Sequence, residues 1–105
     1  MNRVFGSDAK KCEKYYVKNK LSVGTCGVVY PADGVVFTLE YDINKFPYFG
    51  FWVSEGGFRG DYNCAPEPST GYYDSIDVAA KNGALPVLEP GERFEFGFTL
   101  TLAGM

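Results

Sequence analysis

The residues best placed to do chemistry in this chain are a carboxylate between two prolines, Pro66-Glu67-Pro68, and an aromatic pair, Tyr48 and Trp52, that brackets Gly50. A proline offers no backbone N–H, so the two flanking Glu67 put it at a sheet edge, a bulge or a strand end, where side chains meet ligands. Strand alternation gives Glu67 the same face as Asn63 and Ala65, lining up a carboxylate, an amide and a small residue. That row suits hydrogen bonding to sugar hydroxyls; an exposed surface glutamate is the plain alternative. Tyr48 and Trp52 share one face of their own segment, and Gly50 between them leaves a gap in a flat aromatic surface. Such rings stack on the apolar side of a pyranose, and they would serve equally as a second hydrophobic layer.

Arg59, in the loop GGFRGD, carries a planar fork of donors that fits a carboxylate such as Glu67 or Asp61, or the phosphate of an anionic sugar; alone in a loop it also reads as simply solvated. Glu55 and Asp61 flank the same loop but lack the alternating oxygen ligands of a calcium loop, so no metal is expected. No pattern calls for a cofactor. The chain has 0 histidines, which removes the commonest general acid/base near neutral pH and every imidazole triad. Cys12, Cys26 and Cys64 are odd in number and show no C-x-x-C spacing, which fits reduced thiols better than a disulfide framework or zinc.

With 105 residues, 46% of them hydrophobic, the chain can bury one core, and a single domain over 1–105 is expected. A net charge of -3 and a pI near 4.8 argue against nucleic acid as a partner, since phosphate binding needs a dense basic surface. Lys10, Lys11, Lys14, Lys18 and Lys20 are interleaved with Glu13 and aromatics and read as a solvated face. No apolar run reaches the roughly 18 positions of a membrane-spanning helix, so no membrane partner is expected. Charges stand where a secretory leader would hold its apolar stretch, which makes the expected location cytoplasmic.

The elements that must position these residues read mainly as strands. Residues 34–41, GVVFTLEY, alternate with Val35, Phe37, Leu39 and Tyr41 on one face, and the turn PADG precedes them. Residues 92–102 alternate more cleanly still, Phe94, Phe96, Phe98, Leu100 and Leu102 forming one dry face after the turn LEPG. Further strands are expected in PYFGFWVS, over 62–67, over 15–17 and over 26–30. One helix is expected, capped by Asp74, with Asp77 in its first turn and Asn82-Gly83 ending it. Residues 1–12 carry no pattern and read as loosely ordered. Short strands separated by turns, with a single helix, predict an all-β, antiparallel β-sandwich.

The stretch FPYFGFWVSEGGFRGDYNCAPEPSTGYYDSIDVAAKNG, followed by LEPGERFEFGFTLTL, resembles the C-terminal part of the galactose mutarotase-like (aldose 1-epimerase) superfamily. The shared features are a Pro-Tyr-aliphatic-Gly-x-Trp strand, a glycine loop, a Glu-Pro-x-x-Gly-Tyr-x-Asp motif and a Pro-Gly turn before a last strand. The resemblance implies a partial supersandwich, corresponding to the last third or so of a larger fold. It implies Glu67 as general base on an anomeric hydroxyl, with Trp52, Asn63, Arg59 and Tyr48 binding a monosaccharide or sugar phosphate. The histidine that serves such enzymes as general acid has no counterpart here, so the expectation is sugar binding without mutarotation by the isolated chain. A half-site completed by a second chain and a non-catalytic interaction module are the alternatives. Strand edges and an apolar face left without cover point to a homodimer.

Overall fold

A computed structural model describes residues 3–72 and 74–105. Among them the strands are β1 (Lys11–Tyr16), β2 (Thr25–Tyr30), β3 (Val35–Tyr41), β4 (Tyr48–Glu55), β5 (Tyr62–Ser69) and β6 (Phe98–Gly104), with one helix, α1 (Ile76–Lys81). They form two three-stranded antiparallel sheets, ordered β1-β4-β5 and β2-β3-β6. The molecule is the expected all-β sandwich, with α1 its short helix. No helix among the described residues is long and apolar enough to cross a membrane.

In the first sheet β4 is central, which follows from its composition: it carries the apolar alternation, while β1 holds charges and β5 holds prolines that an inner strand could not accommodate. Lys14 is registered against Trp52 and Tyr16 against Gly50 on one side; on the other, Ala65 faces Trp52 and Glu67 faces Gly50. Directly opposed residues share a face, so Lys14, Tyr16, Tyr48, Gly50, Trp52, Asn63 and Glu67 all project from the same side. The other side carries Phe49, Phe51 and Val53 toward the interior, and Val53 is 1% exposed.

The two sheets meet around an aromatic cluster. Phe46 stacks edge-on against Phe96 at 5.0 Å and Phe94 at 6.2 Å. Phe46 and Phe96, with Leu39, Tyr41, Pro68 and Phe98, line an apolar cavity of about 210 Å³ between the sheets. The overlap is small: among the described residues the buried apolar side chains are Val53, Ala79 and Ala84. The Cα radius of gyration is 15.7 Å, against about 13 Å for a compact domain of this length.

Three expectations are corrected. Residues 92–97 lie outside any strand; pairing of the last strand starts at Phe98, opposite Tyr41, because β3 ends there. Its supposedly dry face is open, Phe98 and Leu102 being 60% and 68% exposed. The helix is capped by Ser75, whose hydroxyl accepts from the Val78 N–H, instead of by Asp74. Ahead of β1, which begins at Lys11, Ser7–Ala9 form a 3-10 turn and the Phe5 N–H donates to buried Glu55 at 2.5 Å. Met1 and Asn2 lie outside the described residues.

Candidate functional site

The center of the outer face of the first sheet is Gly50. A Cβ there would sit 3.3 Å from Lys14 Cε and 3.5 Å from the Tyr16 ring, so the missing side chain is the space that lets β1 side chains cross the central strand. Through that gap Lys14 reaches β5, its Nζ lying 2.6 Å from Glu67 Oε2. The same ammonium lies 2.9 Å from Asp74 Oδ1, in the segment leading into α1. That segment is folded back by Tyr72 N–H, which donates to Ala84 at 3.4 Å, and by Gly71, which packs against Ala84 and Pro86.

Three tyrosines frame the cluster. The Tyr72 ring packs 6.4 Å from Tyr16 and 5.8 Å from Tyr48, and the Lys14 ammonium lies 5.4 Å from the Tyr16 ring center. Lys14, Tyr16, Tyr48, Phe49, Gly50, Glu67, Ser69, Gly71 and Asp74 line a small open cavity of about 80 Å³. The electrostatics are those of a tight charge cluster. The hydrogen bond to Glu67 holds the Lys14 ammonium well above its usual range, with Asp74 adding to the effect against some desolvation. Burial pushes the Tyr16 phenol up to about 12, and Asp74 reinforces the shift. Asp74 is held below its ordinary value by hydrogen bonds from Tyr16 first and Lys14 second.

Of the residues singled out from the sequence, Glu67 and Tyr48 line this cavity. Trp52 and Asn63 share its face but are engaged with each other, the indole Nε1 donating to Asn63 Oδ1 at 2.9 Å. Trp52 is one same-face position along β4 from Gly50, about 7 Å away, and its ring takes the edge of Phe58 at 5.6 Å. Arg59 sits exposed at φ 56° in the glycine loop, and the cavity lining does not include it. That loop is closed by Ser54, whose hydroxyl donates to the Asp61 carbonyl at 2.7 Å and accepts from Phe58 N–H at 3.3 Å.

Lys14, Tyr16 and Asp74 are the participants that sequence reasoning misses. Lys14 reads as one of a solvated lysine cluster, and Asp74 as a helix cap. The available signal was strand alternation in KCEKYY, which puts Lys14 and Tyr16 on one face of β1. Tyr73, inside the Glu-Pro-x-x-Gly-Tyr-x-Asp motif, lies outside the described residues. Among the described residues no cluster of three or more histidine, cysteine, aspartate or glutamate side chains could hold a metal ion.

Comparison with curated proteins and with solved structures gave no match. A protein-family profile described as "Domain of unknown function (DUF4432)" matches residues 13–102, a span that contains every residue of the cavity described above. The chain therefore belongs to the DUF4432 family.

Proposed function

We propose that the outer face of the first sheet is a binding surface for a monosaccharide, held at Glu67, Lys14, Asp74 and Tyr48, and that the isolated chain binds the sugar without interconverting its anomers. The observation that carries this reading is the charge cluster over Gly50: two carboxylates and an ammonium converge beside tyrosine rings in an open depression. Carboxylates accept from sugar hydroxyls and an ammonium donates to them, while a tyrosine ring offers an apolar face to the pyranose. A depression of about 80 Å³ takes one edge of a sugar ring, leaving the rest toward Trp52 along the same face.

The resemblance of PYFGFW and EPSTGYYD to galactose mutarotase-like proteins supports the same reading, with Glu67 at the position of their general base. Its Oε2 is engaged by Lys14 at 2.6 Å, and the chain has 0 histidines to protonate a ring oxygen. Binding without turnover follows from those two features. Lys14 faces two carboxylates, so the cluster keeps one excess negative charge and favors an uncharged sugar over a sugar phosphate. The unpaired thiols of Cys12, Cys26 and Cys64 suit a reducing, cytoplasmic setting.

Protein-observed NMR titration with a panel of hexoses and hexose phosphates tests the reading. Shifts are expected at Tyr48, Gly50 and Glu67, and Glu67→Gln should weaken binding about tenfold or more if the carboxylate is used. Shifts confined to other surfaces, or variants Glu67→Gln and Tyr48→Ala that titrate like the parent, would sink it.

A further inference from the structure

The second sheet ends in a strand longer in sequence than the chain can pair. Alternation runs unbroken through Phe94, Phe96, Phe98, Leu100 and Leu102, yet β3 offers partners only from Phe98 onward, and residues 92–97 are joined to no strand. β6 is an edge strand whose seven residues, FTLTLAG, contain no charge and no proline, the devices that ordinarily keep an edge from pairing with another chain. In the first sheet both outer strands carry such devices: β5 holds Pro66 and Pro68, and β1 holds Lys11, Glu13 and Lys14. β2, the opposite edge of the second sheet, also lacks charge and proline, but β3 pairs with all six of its residues and no apolar alternation runs on beyond that pairing. The face of β6 that carries Phe98, Leu100 and Leu102 is open as well, all three being more than half exposed.

We infer that the occupant of this edge is a second copy of the chain, paired antiparallel along residues 94–102 about a two-fold axis at Phe98, so that the two second sheets join into one. In that register Phe98 meets its own symmetry mate, Phe96 meets Leu100 of the second copy, and Phe94 meets Leu102. On the other face Glu95 meets Thr101 and Arg93 meets Ala103, so no like charges are opposed. Every apolar side chain of the row gains an apolar cross-strand neighbor, the pairing that stabilizes antiparallel sheets. The surface is adequate in size. Phe94, Phe96 and Phe98 are 44%, 55% and 60% exposed, and at roughly 150–250 Å² per aromatic side chain they alone present on the order of 300 Å² per copy. With Leu100, Leu102 and the strand backbone added from both copies, the contact approaches the roughly 1,000 Å² of a specific interface.

Light scattering of the native chain at micromolar concentration tests this, with an expected mass of twice 11.6 kDa. Hydrogen exchange on the same sample should show protection of amides 93–99 that grows with protein concentration, a readout that needs no variant. Phe98→Lys, at a position already 60% exposed, opposes two like charges at the axis and should weaken the dimer about tenfold or more. Mixing Phe98→Lys with Phe98→Glu should restore it, and circular dichroism shows that each variant retains its sheets. A native chain that is monomeric throughout the micromolar range overturns the inference. So does a dimer indifferent to Phe98→Lys, or amides 93–99 that exchange freely at every concentration.

Discussion

Lys14 and Glu67 meet across an intervening strand: β1 and β5 both flank β4, two strand spacings or roughly 9.5 Å apart, yet the ammonium and carboxylate close to 2.6 Å. They do so over Gly50, which is buried and offers no side chain to obstruct the crossing.

Gly50→Val should therefore break the pair while leaving β4 in place, because valine favors strands but its Cβ alone approaches Lys14 Cε at 3.3 Å. Overpacking of this kind costs roughly 1–3 kcal/mol. Chemical denaturation should show that loss, and NMR should show the Lys14 and Glu67 side-chain signals shifting as the contact opens. A variant as stable as the parent with both signals unmoved would mean that the glycine does not set the contact.

Asp74 provides a pH test. Its pKa is lowered from 3.8, first by Tyr16 and then by Lys14. A carboxyl held low in the folded state adds stability that is present above its unfolded value and lost as pH falls through the folded one. The contribution is thus complete above about pH 4 and disappears below it; with the side chain 59% exposed, it is small. NMR titration should show the Asp74 pKa rising in both Tyr16→Phe and Lys14→Met, with the larger rise in Tyr16→Phe. The reverse order would contradict the assignment of the phenol as the main donor.

Val53 and Glu55 test the interior of the first sheet. Val53→Ala removes two methyl groups from a site 1% exposed and should cost about 2 kcal/mol. Deleting residues 1–9 strips the Phe5 N–H from the buried Glu55 carboxylate and should cost about 1–3 kcal/mol. Thermal melts of the two truncated chains, with and without Glu55→Gln, check this; a deletion that leaves the midpoint unchanged would show that the N-terminal segment contributes nothing.

Burial pushes the thiols of Cys26 and Cys64 up from 9.0. The thiolate is the nucleophile, so alkylation of both by iodoacetamide at pH 8 should be slower in the folded protein than in denaturant. Equal rates in the two states would show that these sites open freely.

β4 and β5 are legible because their alternation is local: PYFGFWVS contains the whole face that β4 presents, and the Pro66-Glu67-Pro68 run confines its stretch to a sheet edge, a bulge or a strand end, whereas β1 begins at Lys11, ahead of the 15–17 expected. Lys14 was not legible as a site residue, since its significance depends on β1 lying beside β4, a pairing between segments far apart in sequence. Residues 92–97 failed for a related reason. Their pattern is that of a strand, but a strand needs a neighbor, and β3 stops at Tyr41. Alternation puts Trp52 on one face with Tyr48 and Gly50, whereas its sharing that face with Glu67 depends on the β4–β5 register, and its contacts with Asn63 and Phe58 on the return of the glycine loop, neither of which alternation encodes.

The order of strands also implies an order of assembly. The first sheet takes β1, β4 and β5, all complete by Ser69, whereas the second needs β6, which emerges last. Until then β2 and β3 stand as an isolated hairpin, and a two-stranded hairpin is marginal in water. During synthesis the first sheet can form while the second waits for β6, so nascent chains halted before Phe98 should resist proteolysis over 11–16 and 48–69 and remain open to it over 25–41.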